Sequence, residues 1–222
     1  MSTLGYWDVR GLAEPIRLLL SYLKVQYTEK LYQFDSNEWI DQDKQTLDHS
    51  FPNLPYYIDG DVKIVQSTAI PIYIIKKHQR YDLIGENIDG TFNQREIKVI
   101  EMIGVINDIR TQIIRLCFNP DFKKLRENYF AANISGLLNK VVDFLGQKDY
   151  LLDSLTYADF IFYDTIILLF YLYPQSKCQA LIDYTKRFEN IDGIKQYVET
   201  PHSYDKYFFH KIYASWSGPN SD

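Results

Sequence analysis

The chain opens with Gly5-Tyr6-Trp7-Asp8-Val9-Arg10-Gly11 and runs straight into an amphipathic stretch, residues 12–23. Residues 3–7 read as a short strand and Gly11 as a turn residue. Ile16, Leu19, Leu20 and Leu23 then share one helical face at i, i+3, i+4 and i+7. A strand that feeds a helix this early commits the amino-terminal part to an α/β arrangement. A tyrosine at the carboxyl end of such a strand, facing a helix N-terminus, stands where α/β folds bind and activate anions. It can equally be a core tyrosine of an edge strand, and this stretch alone leaves both readings open.

The alternation continues. Residues 26–34, rich in Tyr and Leu, form a second strand candidate, followed by a polar stretch around Trp39. Two short apolar runs, 55–59 and 62–65, are joined by Asp59-Gly60-Asp61, a hairpin signal. Ser67 then precedes a helical run through Ile70, Tyr73, Ile74 and Lys77. The order β-α-β, irregular segment, β-β-α fits a small mixed sheet with helices on its faces. Residues 81–90, with two glycines and no apolar periodicity, read as a linker.

Beyond the linker the pattern is helical. Ile97, Ile100, Ile103, Ile106, Ile109, Ile113 and Leu116 step by three and four until Asn119-Pro120 stops them. A second helix is expected over 122–145, ending at Gly146, and shorter ones over 180–188 and 191–199. Thr156-x-x-Asp159 reads as a capping box opening a third long helix that Pro174 closes, with Leu155 set to staple onto Phe160. That motif is structural; losing it costs about 1 kcal/mol.

Composition excludes several classes. Among 222 residues the hydrophobic fraction is 46% and net charge is −5, so a core is affordable and no basic footprint for nucleic acid or anionic membrane exists. The most apolar run, 157–173, carries Asp159 and Asp164 and falls short of the ~20 apolar residues of a membrane span. Cys117 and Cys178 are the only cysteines, and neither belongs to a Cys-x-x-Cys pair. No disulfide framework is expected, and with no signal or transit pattern at the start the expected setting is the reducing cytoplasm. His49, His78, His202 and His210 are too dispersed for a metal site.

Four segments ask for a joint explanation: the Tyr6 strand end, Trp39 with Lys44, Phe51-Pro52-Asn53-Leu54-Pro55, and Gln66-Ser67. Leu54-Pro55 just before a strand suits a cis proline, exposing the backbone of residue 54 to an extended peptide in the manner of strand addition. Ser67 at a helix N-terminus offers a hydroxyl, amides and the positive dipole end to a carboxylate. Peptide-like pairing at one end, an anion hole at the other and a tyrosine between them suit an acidic thiol tripeptide.

These residues resemble the cytosolic glutathione S-transferases over nearly the whole chain, most closely the mu class. The matching segments are Leu4-Gly5-Tyr6-Trp7-Asp8-Val9-Arg10-Gly11-Leu12, Phe51-Pro52-Asn53-Leu54-Pro55-Tyr56, Gln66-Ser67-x-Ala69-Ile70, Cys117-Phe118-Asn119-Pro120 and Thr156-x-x-Asp159-Phe160. The resemblance implies an α/β plus all-α architecture. A thioredoxin-like domain (βαβαββα) would occupy 1–84 and an all-helical domain 89–222. It also implies a homodimer that adds reduced glutathione to hydrophobic electrophiles in detoxification, with glutathione as co-substrate and no cofactor or metal. By motif match Tyr6 would donate its hydroxyl to the glutathione sulfur. Trp7, Leu12, Trp39 and Lys44 would hold the glycyl end, Asn53 and Leu54 the cysteinyl backbone, and Gln66 and Ser67 the γ-glutamyl carboxylate. Asp108 would reach the γ-glutamyl amine of the partner's site, and Phe51 would be an aromatic key inserted into the partner. Val9, Leu12, Arg110, Thr111, Ile114, Phe118 and His210 would border the electrophile pocket.

The chain departs from the mu pattern in places. Between Tyr32 and Trp39 it is several residues shorter, and between Trp39 and Phe51 one residue longer. Thr68 replaces an Asn or Asp that caps the following helix, and Pro71 is expected to weaken that helix's first bond. Phe118 stands where the mu class has a tyrosine, which keeps an apolar wall and removes a hydroxyl useful for epoxides. A sigma-type lipid peroxide isomerase, or a non-catalytic binding protein of the same family, are the rival readings. A thiol-disulfide oxidoreductase is disfavoured because no cysteine precedes residue 117.

Overall fold

The computed structural model describes residues 1–219; the last three residues of the expected helical domain, 220–222, lie outside the described residues. Four strands, β1 (Ser2–Trp7), β2 (Tyr27–Tyr32), β3 (Tyr56–Asp59) and β4 (Val62–Val65), form one mixed sheet ordered β2-β1-β3-β4. β1 and β2 run parallel, with Tyr6 opposite Leu31 and Trp7 opposite Tyr32. A parallel pair needs a crossover, and α1 (Glu14–Tyr22) supplies it. β3 is antiparallel to both β1 and β4. Gly5 is required inside β1 because it pairs with Tyr56, and a Cβ there would lie 2.2 Å from the Tyr56 ring. The β3–β4 hairpin turns at Gly60, at φ +61°, as its Asp-Gly-Asp sequence requires.

A one-turn helix, α2 (Lys44–Thr46), and α3 (Ala69–Lys77) complete this half in the expected thioredoxin-like order. Pro71 is the third residue of α3: the Ile70 amide just before it bonds the Gln66 carbonyl at 3.1 Å, and Pro71 has no N–H with which to give the Ser67 carbonyl the next bond. Thr68 makes no side-chain cap, in line with its substitution.

The second half is helical: α4 (Gln94–Cys117), α5 (Phe122–Tyr129), α6 (Ser135–Leu145), α7 (Tyr157–Leu172), α8 (Gln179–Glu189) and α9 (Ile194–Glu199). The helix expected over 122–145 is present as one uninterrupted helical run, in which α5 and α6 are joined by a wider π-type turn at Phe130–Ile134. Asn133 and Ser135 send their side chains back to the carbonyls of Tyr129 and Ala131, at 3.2 and 3.1 Å, and so compete with the helical ladder. α7 is apolar nearly all round and packs against both α4 and α1, so it is the centre of the core. Its start is fixed by Asp159, which is fully buried and accepts from the Thr156 amide and hydroxyl, the Leu151 amide and the Tyr184 hydroxyl. Four donors make that buried carboxylate tolerable.

No helix among the described residues is long and apolar enough to cross a membrane. Cys117 is buried, which pushes its thiol up, whereas Cys178 is exposed.

Candidate functional site

Tyr6 is the penultimate residue of β1, with its side chain turned under the loop that leads into α1. Its hydroxyl oxygen accepts from the Leu12 amide at 3.1 Å. The approach is close enough that a Cβ on Gly11, at φ +46°, would lie 2.6 Å from that oxygen; only glycine fits there. Burial pushes the Tyr6 phenol above its ordinary value, opposed by the Leu12 amide and by the nearby charges of Arg17 and Arg110. The phenol therefore stays protonated at neutral pH. With its oxygen already accepting from Leu12, its own proton remains for another acceptor.

The loop is held by buried charge. Arg17, fully buried, donates to the Val9 and Arg10 carbonyls at 2.9 and 3.3 Å and pairs with Glu29 and Glu14. Arg110 reaches from α4 to donate to the Gly11 carbonyl at 3.2 Å and to Asp164 at 2.7 Å. Arg10 pairs with Asp164, Glu14 and Asp205. The Gly11–Leu12 peptide is thus gripped from both sides, with Arg110 on its carbonyl and Tyr6 on its N–H. A cation on the carbonyl polarises the peptide and strengthens its N–H as a donor.

The carboxyl-terminal tail closes the same loop. The Arg10 and Gly11 amides donate to the carbonyls of Tyr207 and Phe208 at 2.9 and 3.0 Å, and the Ser215 and Trp216 amides donate to the Cys117 carbonyl at the end of α4. Between these ties Phe209 meets Phe118 edge-on at 5.6 Å, and His210 meets Trp7 at 4.9 Å and Phe34 at 4.4 Å. Burial lowers the His210 imidazole below its usual value. Leu12 and Phe118, 41% and 40% exposed, leave apolar surface open beside the tyrosine.

Two residues expected on the electrophile side lie elsewhere. Arg110 is buried with its guanidinium turned to Asp164 and Gly11, so it supports the loop rather than lining the cleft. Val9 is packed into the core beside Tyr6, Tyr32 and Trp39. Thr111 is exposed on α4, and Ile114 is half-buried against the helical core.

The anchoring positions are more open. Trp39 is buried, stacked on Tyr56 at 5.9 Å. Lys44 is exposed at the start of α2, and Asp108 is exposed on α4. The Leu54-Pro55 bond is cis, as its sequence suggests. The Leu54 amide, expected to be free for a peptide, instead donates to the Asn53 side-chain oxygen at 2.9 Å. Gln66 is held at φ +82°, unusual for a residue with a side chain, and its carbonyl accepts the Ala69 and Ile70 amides that start α3. This conformation sets half-buried Ser67 at the helix N-terminus.

Residue patterns missed Arg17, Glu14, Asp164, Phe34 and Phe209. A signal did exist for Asp164: an acid inside an otherwise apolar helix must find a cation when buried.

Two family models match the chain. The glutathione S-transferase N-terminal domain matches residues 2–76 and the glutathione S-transferase C-terminal domain matches residues 107–201. Among curated proteins, glutathione S-transferase Mu 4 of Rattus norvegicus is 37% identical, covering 89% of this chain and 90% of its own. Glutathione S-transferase 2 of Gallus gallus is 38% identical over the same shares of the two chains. Among solved structures, the glutathione S-transferase Blo t 8 superposes with a TM-score of 0.75 at 28% identity, covering 93% and 96% of the chains. The pi-class enzyme of Onchocerca volvulus gives 0.74 at 26% identity, covering 89% and 92%.

Proposed function

The chain belongs to the glutathione S-transferase family, and from that membership we propose that it conjugates reduced glutathione to hydrophobic electrophiles, with the Tyr6 hydroxyl holding the sulfur as thiolate. The observation that carries this reading is the buried phenol that accepts from the Leu12 amide and keeps its own proton to give. A free thiol titrates near ~8.5, so only a few per cent is nucleophilic at neutral pH. Lowering that value by about two units takes ~2.7 kcal/mol of preference for the anion. One hydrogen bond to a charged group contributes roughly 1.5 to 3 kcal/mol, so a single preorganised phenol suffices.

Glutathione would lie with its cysteinyl backbone along residue 54 and its γ-glutamyl carboxylate at Gln66 and Ser67. For that the Asn53 side chain must release the Leu54 amide, trading one hydrogen bond for another. Trp7, Leu12, Trp39 and Lys44 would take the glycyl end. The electrophile would rest on Leu12, Phe118, Phe209 and His210. Because Phe118 offers no hydroxyl, aromatic halides and unsaturated carbonyls suit this wall better than epoxides.

The unit would be a homodimer. Phe51, 74% exposed, is the key, and its complement is a cleft of about 710 Å³ between α4 and α6 with Met102, Val105, Leu137, Val141 and Phe144 on its walls. Asp108 would then complete the neighbouring subunit's site.

Turnover of a model aromatic halide by Tyr6→Phe tests the reading. Loss of the hydrogen bond should lower kcat/KM at neutral pH by roughly 10- to 100-fold while glutathione still binds. Unchanged turnover would reject Tyr6 as the activating group.

A further inference from the structure

The stretch just before Lys44 is poorly composed for a carboxylate site. Residues 35–43 carry four acids, Asp35, Glu38, Asp41 and Asp43, and no cation. A lysine in such company is offered carboxylates by its own neighbours, and a carboxylate brought from outside is repelled by them. Yet among the described residues Lys44 forms no ion pair, and its side chain is exposed.

The reason lies on β2. Strand alternation sets Lys30 and Tyr32 on one face, and residues 38–43 pack over it. The Lys30 ammonium pairs with Glu38 at 3.0 Å and with Asp43. Asp43 also accepts from the Tyr32 hydroxyl, which meets the Tyr56 hydroxyl at 2.9 Å. Hydrogen bonding to Asp43 pushes the Lys30 ammonium up to about 12, so the cation persists at neutral pH. Partial burial works against the Asp43 charge, but the hydrogen bonds from Lys30 and Tyr32 outweigh it and hold that carboxyl below its usual range.

The backbone follows the side chains. Residues 38–43 form a π-type turn, closed by the Lys44 amide donating to the Trp39 carbonyl. Trp39 in turn is tilted against the Tyr32 ring at 5.4 Å and stacked on Tyr56. The turn thus directs Asp43 to β2, ties Trp39 to Lys44, and leaves the Lys44 ammonium to solvent.

We propose that Lys30 is a positioning residue for the glycyl end of glutathione: by taking up the Glu38 and Asp43 carboxylates, it keeps Lys44 free to bind a carboxylate from outside. This rests on the placement of the glycyl end at Trp39 and Lys44. With Lys30 present the three side chains carry a net charge of −1; without it the two acids carry −2, one of them directly preceding Lys44.

Two thiols isolate this end of the site. Glutathione and γ-glutamylcysteine carry the same net charge at neutral pH, but only glutathione has a glycyl carboxylate. The test is calorimetric titration of the intact protein with each, in the wild type and in Lys30→Met, which keeps the apolar stem of a half-buried side chain. Glutathione affinity should fall roughly three- to tenfold at low ionic strength, and less at high salt. Affinity for γ-glutamylcysteine should stay within about twofold of the wild type. In turnover the loss should appear in KM for glutathione rather than in kcat. Adding Asp43→Asn to Lys30→Met returns the local charge to its original value and should recover most of the loss. Equal losses for the two thiols, or an unchanged glutathione affinity in Lys30→Met, overturns the proposal. So does a double variant without recovery, because Lys30 then does not act through Asp43. Lys44→Ala tests the placement beneath it. An unchanged preference for glutathione over γ-glutamylcysteine in that variant rejects the glycyl end at Lys44 and this proposal with it. A lost preference there, beside an unaffected Lys30→Met, rejects the role of Lys30 alone.

Discussion

The two ends of the candidate site are built differently. At the Tyr6 end the loop backbone is engaged from a distance at Val9, Arg10 and Gly11: by Arg17 on α1, by Arg110 on α4, and by the tail carbonyls of Tyr207 and Phe208. At the anchoring end Asn53 and Gln66 are exposed and bonded locally, Asn53 to the next residue and Gln66 to the first turn of α3. On the proposed reading, the group that discriminates a thiolate from a thiol is preorganised, because reorganisation there would subtract from the ~2.7 kcal/mol it would have to supply. On the same reading, the exposed Asn53, Gln66 and Lys44 stay open to admit a flexible peptide. Damage at the first end should therefore appear as lost stability and lost activation together, and damage at the second as lost affinity alone.

The largest effect is expected from Asp164→Ala. It leaves buried Arg110 without its carboxylate, and breaking a buried pair from one side costs about 3 to 5 kcal/mol. Denaturant unfolding measures the loss, and the pH midpoint of turnover should rise with it. A loss below about 1 kcal/mol would place the pair on the level of a surface bridge and remove the contrast.

Ser67→Ala should do the opposite. Glutathione affinity, read by calorimetry, falls up to about tenfold with the loss of one hydrogen bond to a carboxylate, and unfolding stays within about 0.5 kcal/mol of the wild type. Destabilisation comparable to that of Asp164→Ala would show that the anchoring end is structural too.

The smallest effect concerns the tail. Burial keeps the His210 imidazole below its usual value, so the docked tail holds it neutral. Above about pH 6.5 both docked and undocked forms are neutral and docking is unaffected; below it the undocked form takes the proton first, and docking weakens as pH falls. Tryptic cleavage after Lys211 should accelerate a few-fold from pH 7.5 to about 5.5 relative to His210→Phe, which cannot titrate. Parallel profiles for the two proteins would show that His210 does not govern docking.

How much of this was legible in the sequence follows the same division. The β1–loop–α1 unit, the hairpin at Gly60, the cis Leu54-Pro55 bond and the Thr156–Asp159 box are local signals, and each appears where its residues place it. The network around Tyr6 joins residues 10, 14, 17, 110 and 164, which only the closed fold brings together, so local patterns assigned Arg110 to the cleft and overlooked Arg17. The widened turn at Phe130–Ile134 lacked a proline or glycine to announce it; what accompanies it is the side-chain bonds of Asn133 and Ser135 to backbone carbonyls. The tail carries little periodicity, and its shape is set by what it bonds to, the loop and the end of α4.

The most direct measurement is a pH titration of the ultraviolet absorbance of enzyme-bound glutathione thiolate, in the wild type and in Tyr6→Phe. A Tyr6 proton resting on the sulfur predicts a wild-type midpoint well below the ~8.5 of a free thiol and a variant midpoint returned close to it, with glutathione bound in both. Coincident midpoints in the two proteins would contradict it.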